Sequence, residues 1–239
     1  MTEAGPVSYQ LDGRIATIAI DDGKANALSI AMLGALHAAL DRAERDRAVV
    51  VLSGRENYFS GGFDLKVLAA GGEQVMTMLR LGATLSERVL GFPTPVLCAC
   101  SGHAIAAGTF PLLCADARIG VDGPFRIGLS EVQIGLTVPW FAIEIARQRL
   151  HPAHFDRALV SSRMYSPQQA VEAGFLDRVV AASELQAVCR QTALELSELN
   201  AEAHTATKLR VRENALSRLR AAISSELEAQ TAGAVGAQR

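Results

Sequence analysis

Along the chain, apolar positions switch between a strand-like and a helix-like period, and the switches divide it into elements. "RIATIAI" (14–20) and "AVVVLSG" (48–54) read as strands, the second an unbroken apolar run of the kind buried on both faces. Between them, in "SIAMLGALHAALDRAERD", Met32, Leu33, Leu36, Leu40 and Ala43 form one helical stripe, and Ser29 stands where an N-cap belongs. A helix over 73–90 is stopped by the prolines of "FPTP"; a buried strand "PVLCAC" (95–100), a small-residue run "SGHAIAAG" and a strand near "ARIGV" (117–121) follow. From Pro139 onward the spacing is helical. "SPQQAVEAG" (166–174) carries Ser at the N-cap, Pro at N1, Gln169 at N3 and Gly past the end, a complete short helix. A last amphipathic helix is predicted over about 203–229, with Leu209, Leu216, Leu219, Ile223 and Leu227 on one side and Lys208, Arg210, Arg212, Arg218 and Arg220 near its start. No exact repeat or long low-complexity linker interrupts the chain, so the pattern predicts one α/β core with a helical C-terminal section.

Composition narrows the setting without naming a ligand. A chain of 239 residues with 49% hydrophobic and 20% charged residues is an ordinary soluble globule near the upper end of one domain. A net charge of −2 gives no global attraction to nucleic acid or to an anionic membrane, so an anionic ligand must be held by local groups. Cys98, Cys100, Cys114 and Cys189 lack metal-ligand spacing and are expected to be buried thiols, the first two on opposite faces of one strand. "MTEAGPVSYQLDGR" has neither a basic n-region nor an apolar h-region, and no stretch reaches the ~18 apolar residues of a membrane span, which predicts a cytoplasmic protein. The five histidines form no ligand pair with a carboxylate at a metal-binding spacing, and His103, beside a glycine turn, reads as a packed side chain.

Two strand-to-helix junctions hold the candidate chemistry. In "FSGGFDLK" (59–66), Gly61 and Gly62 permit positive φ and Asp64 can cap the next helix, so backbone N–H groups near Phe63 can converge on a small anion. No Gly-Lys-Ser/Thr follows and no G-x-G-x-x-G is present, which excludes a Walker loop and a dinucleotide fingerprint. The second junction, "PVLCACSGHAIAAG", ends in small residues at 106–108 that let a ligand approach the backbone. Two such junctions, each giving one N–H to a single oxygen, are the geometry of an oxyanion hole.

In sequence order, "KANALS" (24–29), "FSGGFDLK" (59–66), "PTPVLCACSGHAIAAG" (93–108), "ADARIG" (115–120), "SEVQIGLTVP" (130–139) and "YSPQQAVEAGFLDRVV" (165–180) resemble the enoyl-CoA hydratase/isomerase (crotonase) family over about residues 7–225. The resemblance implies a crotonase-type ββα spiral core at 1–199 and a C-terminal helical trimerisation region at 200–239. It also implies an acyl-CoA or enoyl-CoA substrate, a homotrimer or dimer of trimers, and no cofactor beyond the coenzyme A that enters with the substrate. By the same resemblance Phe63 and Ala107 donate the two N–H groups to the thioester oxygen, Ala107 tolerably only at negative φ. The resemblance also places the CoA moiety against Lys24, Ala25, Ala27, Ser60, Gly62, Asp64 and Leu65, and implies that Lys208 reaches a CoA phosphate from the last helix, within the subunit or across a subunit boundary; for both lysines the alternative is a solvated surface charge.

Hydratases of the family use two glutamates, because adding water across C2=C3 needs both an oriented water and a proton at C2. Here the first of those positions is Phe110 and the second is Glu131. One glutamate beside an oxyanion hole suits a Δ3→Δ2 isomerisation, and burial against acyl chain and Phe110 should raise its pKa toward neutrality. A hydratase with a non-standard second acid and a non-catalytic acyl-CoA binder are the alternatives. In "GLTVPWF" (135–141), where relatives carry a proline and paired glycines, Trp140 and Phe141 are expected to reshape the acyl-side wall.

Overall fold

The computed structural model describes residues 5–236. The chain enters through an antiparallel hairpin, β1 (Val7–Asp12) and β2 (Ile15–Ile20), then runs through β3 (Ala27–Leu28) into helix α1 (Ile30–Arg45). Ser29 accepts the Met32 N–H at 3.2 Å, the expected N-cap, and Met32, Leu33, Leu36, Leu40 and Ala43 are buried. The next strands are β4 (Val49–Ser53), β5 (Asn57–Ser60) and β6 (Gly62–Phe63), followed by helices α2 (Leu65–Ala70) and α3 (Gly72–Leu90).

The strand–strand–helix order then repeats. β7 (Val96–Cys100) and β8 (Gly102–Ile105) lead through a 3-10 turn (Ala106–Thr109) to α4 (Phe110–Cys114). β9 (Ala117–Val121) and β10 (Ile127–Gly128) lead through a second 3-10 turn (Val132–Ile134) to α5 (Trp140–Arg147). After these come α6 (Pro152–Leu159), α7 (Pro167–Ala173), β11 (Arg178–Val180), α8 (Leu185–Ser197) and α9 (Ala201–Gly236). In α7, Ser166 and Gln169 form the full capping box and Gly174 closes the helix at φ +96, as the sequence predicted.

The first strand of each repeat joins a six-stranded sheet, β1-β2-β4-β7-β9-β11, parallel beyond its first pair. The second strands form a smaller parallel sheet, β10-β8-β5, with β3-β6 beside it. Ile15, Val49, Val51, Leu97, Ala99 and Ile119 of the large sheet face Cys189 and Ala193 of α8, while the opposite face belongs to the main core. Cys98 and Cys100 both point into that main core, not to opposite faces. They are two residues apart on one strand, and a two-residue repeat returns a side chain to the same face. All four cysteines are free and buried; burial pushes Cys100 and Cys114 up to about 12 and Cys189 to about 11.

Helix α9 packs on α3 and α5 through Leu216, Leu219 and Ile223, with Leu227 partly buried. Leu209, expected on the same side, is 42% exposed. Its level of the core is taken by charge. Asp116, just before β9, receives Lys208 Nζ at 2.6 Å and Arg212 at 2.9 Å and accepts the Val96 N–H at 2.7 Å. Lys208 Nζ also donates to the carbonyls of Phe92 and Thr94, both at 2.9 Å, and Arg212 to that of Leu90 at 2.8 Å. Within this chain, then, Lys208 is neither a CoA-phosphate ligand nor a solvated charge: its three donors are spent inside the fold and its side chain is 3% exposed. Among the described residues no helix is long and apolar enough to cross a membrane.

Candidate active site

The two predicted junctions meet. β3 pairs with β6, Ala27 opposite Gly62 and Leu28 opposite Phe63, and the Gly61 N–H donates to Ala25 O at 2.8 Å. Gly62 has φ +92, whereas Gly61 is not in the positive-φ region, so one glycine of the pair carries the turn. A Cβ added at Gly62 would lie 2.8 Å from Ile105 O and 3.3 Å from Ala107 N, so this backbone touches the second junction directly. Ala107 is the second residue of the 3-10 turn, and its N–H therefore has no acceptor inside that turn.

Ala107 itself keeps ordinary φ, as its methyl requires. The left-handed position falls one residue earlier, on Ala106 at φ +51. A non-glycine residue there stores strain of about 1–2 kcal/mol. Ala106→Gly is accordingly expected to raise stability by about 1 kcal/mol, seen as a melting temperature higher by about 2–4 °C. An unchanged or lower melting temperature would remove the strain.

Residues whose framing role sequence reasoning missed hold this frame. Asn26, fully buried at φ +53, reaches with Nδ2 to Ile20 O at 2.9 Å and to Tyr58 O and Phe59 O at 3.2 Å, while its Oδ1 accepts the Asp22 N–H. Ser60 Oγ donates to Asn26 O at 2.8 Å and accepts the Gly62 N–H at 3.2 Å. Asp22 accepts the N–H groups of Lys24, Asn26 and Ala27. Burial pushes its carboxyl up, but those donors outweigh it and hold the pKa below the usual carboxylate value. The detectable signal was "DDGKAN": asparagine is the non-glycine residue that best tolerates the left-handed region, here inside an aspartate-rich turn.

Glu131 arrives from the third repeat. β10 pairs with β8, Gly128 opposite Ile105, which places the segment that begins at Leu129 beside the Ala106–Ala107 turn. Glu131 heads the Val132–Ile134 turn; its carbonyl accepts Ile134 N at 3.1 Å and Leu136 N at 2.9 Å, and Ser162 Oγ accepts the Gln133 N–H at 3.2 Å. Glu131 is 6% exposed and its Oε2 has no hydrogen-bond partner among the described residues. Burial pushes its pKa up to about 7, against a smaller lowering by its own backbone N–H. A buried carboxyl that exchanges its proton near neutrality is suited to take a proton and give it back.

Phe110, at the position where a second acid was sought, is buried at the start of α4. Its ring makes edge contacts with Phe63 (centroids 6.1 Å, 77°) and Phe141 (5.7 Å, 83°). Phe141 thus belongs to the aromatic wall, but Trp140 does not: it is 61% exposed at the start of α5, where its backbone N–H donates to Glu226 of α9 at 2.8 Å. Asp64 caps α2 through the Lys66 N–H at 2.9 Å, Leu65 is 64% exposed, and Lys24 is exposed on the loop before β3. The structure therefore brings together Ala25, Ala27, Ser60, Gly62, Phe63 and Ala107, sets Lys24 and Leu65 at the surface with Asp64 half-buried, and removes Lys208.

His103 lies between the rings of Tyr58 (5.2 Å) and Phe125 (5.3 Å), and its Nδ1 accepts the Arg126 N–H at 3.0 Å, the packed role expected. Among the described residues no group of three or more His, Cys, Asp or Glu side chains could hold a metal ion.

Residues 10–237 match the family described as enoyl-CoA hydratase/isomerase, and the chain belongs to that family of enzymes. A family protein from Pseudomonas syringae superposes with a TM-score of 0.92 at 46% identity, covering 93% of this chain and 97% of that one. An apo enoyl-CoA isomerase from Mycobacterium tuberculosis gives 0.90 at 42% identity over 94% and 98% of the two chains. A second structure of that same protein, there called a probable enoyl-CoA hydratase, gives 0.92 at 41% identity over 98% and 99%. Among curated proteins, a probable enoyl-CoA hydratase of Bacillus subtilis is 31% identical over 57% of this chain, and the match spans 54% of that relative's length. The fold is thus the α/β crotonase fold with a long C-terminal helix.

Proposed function

We propose that this chain isomerises 3-enoyl-CoA thioesters to 2-enoyl-CoA thioesters, with Glu131 as the single proton carrier. Glu131 removes a proton from C2, and the C–H electron pair shifts toward the thioester, leaving a dienolate whose oxygen accepts hydrogen bonds from the N–H groups of Phe63 and Ala107. Protonated Glu131 then delivers the proton to C4, so the double bond moves and nothing is added. The observation that carries this reading is a lone buried carboxyl, Oε2 unpaired and pKa about 7, with phenylalanine where a second acid would orient water. A buried ring can neither hold that water nor protonate a carbon.

One relative, solved twice, bears both names, isomerase and hydratase, so products must decide. Chromatographic separation of the isomers should show 3-enoyl-CoA converted to 2-enoyl-CoA, and mass analysis should show 2-enoyl-CoA left without the gain of one water. Hydration at a rate comparable to isomerisation would overturn the single-carboxylate mechanism, and binding of both esters with no turnover would make the chain an acyl-CoA binder.

A further inference from the structure

Helix α3 contains a glycine that helix energetics disfavours. Gly82 is buried near the middle of this 19-residue helix, on the face that also carries Met78, Leu79, Ala83, Leu85 and Ser86. Glycine in a helix interior costs about 1 kcal/mol relative to alanine, so its use at a buried position calls for something that occupies the missing volume. That something is the ring of Phe63: a Cβ built on Gly82 would lie 2.5 Å from both Cε1 and Cζ of Phe63. The ring also meets the edge of Phe110, with centroids 6.1 Å apart. The ring is therefore clamped between α3 and α4, while the backbone leading into it passes through Gly62, a residue with no side chain of its own to anchor.

We propose that Gly82 is a positioning residue: the notch it leaves in α3 seats the Phe63 ring, and the seated ring aims the Phe63 N–H at the thioester oxygen. The inference rests on Phe63 being an oxyanion donor. Filling the notch with one methyl group forces the ring to move, and the ring takes its Cα and N–H with it. Glu131 lies on a different segment and keeps its proton chemistry. Phe110 is backed on its far side by the ring of Phe141, centroids 5.7 Å apart.

The test uses full-length Gly82→Ala, Phe63→Leu and the double variant, with melting curves on each. Gly82→Ala should lower kcat on a 3-enoyl-CoA about 10-fold or more, with KM changed less than about 3-fold, because an oxyanion donor acts mainly in the transition state. The acid limb of the pH profile should stay near 7, since Glu131 is unaltered. The double variant should be no slower than Phe63→Leu alone, because the shorter side chain no longer meets the added methyl; additive losses would mark mere packing and overturn the proposal. A readout independent of turnover is the infrared stretch of a saturated acyl-CoA carrying ¹³C at the thioester carbonyl. In the wild type it should move to lower frequency on binding, and in Gly82→Ala by less than half as much. An equal shift in both proteins overturns the role of Gly82; no shift in the wild type overturns the oxyanion role of Phe63 itself.

Discussion

Glu131→Gln should lower the isomerase rate by about 10²–10⁴-fold, about 3–5 kcal/mol in the barrier, while leaving the affinity for CoA esters nearly unchanged. The amide keeps the shape of the side chain and loses the ability to carry a proton. More than about a tenth of the wild-type rate in this variant, well above what loss of a general base leaves, would mean that another acid does the work. The wild-type rate should rise with pH through about 7, as Glu131 gives up its proton and becomes the base.

The same substitution should leave a mark on stability. The folded pKa of Glu131 lies above the 4.5 of the free side chain, so the folded state holds its proton more tightly than the unfolded state. The contribution is therefore fully present below about pH 4.5 and is lost as pH rises through about 7, because ionisation is then opposed by burial. Across that window the shift corresponds to about 3 kcal/mol. Glutamine carries no such dependence. The melting temperature of Glu131→Gln minus that of the wild type should thus grow between pH 5 and pH 8, whatever the fixed cost of burying an amide. A difference independent of pH would remove the claim that Glu131 is held against its preferred charge state.

What could be read in the sequence was local in origin. The Ser29 and Ser166 caps, the stripe on α1 and the proline stop after α3 depend on residues within a turn or two, and all stand in the structure. The Phe63 and Ala107 junctions were legible because small residues between a strand and a helix have few uses, and the family resemblance placed Glu131 relative to them. What escaped was set by long-range partners. Trp140 and Phe141 are adjacent apolar residues, and only the packing of α5 on α4 and α9 decides that the second turns inward to Phe110 while the first faces solvent. Asn26 went unremarked because the carbonyls it binds come from a strand some thirty residues later. Lys208 read as part of a basic helix face because the carboxylate it answers to is 92 residues away. The misplaced Cys98–Cys100 pair is different, since the two-residue strand period alone settles it.

Asp116 is where the largest stability effect is expected. One carboxylate, 12% exposed, compensates two cations, and Lys208 and Arg212 have side chains only 3% and 13% exposed. Burial lowers the pKa of Lys208, with Asp116 working against that change. Asp116→Ala would leave both cations uncompensated beneath α9, and removing one partner of a buried ionic group typically costs about 3–5 kcal/mol. It would also strip the Val96 N–H of its acceptor at the edge of β7, adding to the loss. Equilibrium urea unfolding should show this as a lower midpoint; a loss under about 1 kcal/mol would place water or another anion at the cluster. Lys208→Met separates this structural role from the alternative of a CoA-phosphate ligand. The methionine fills much of the volume, and the remaining Asp116–Arg212 pair stays neutral as a unit, so stability should fall less than in Asp116→Ala. KM for CoA esters should not change, because all three lysine donors are already engaged within the fold. A rise in KM of about 10-fold, the 1.4 kcal/mol of one lost charge-assisted contact, with stability intact would return Lys208 to the substrate.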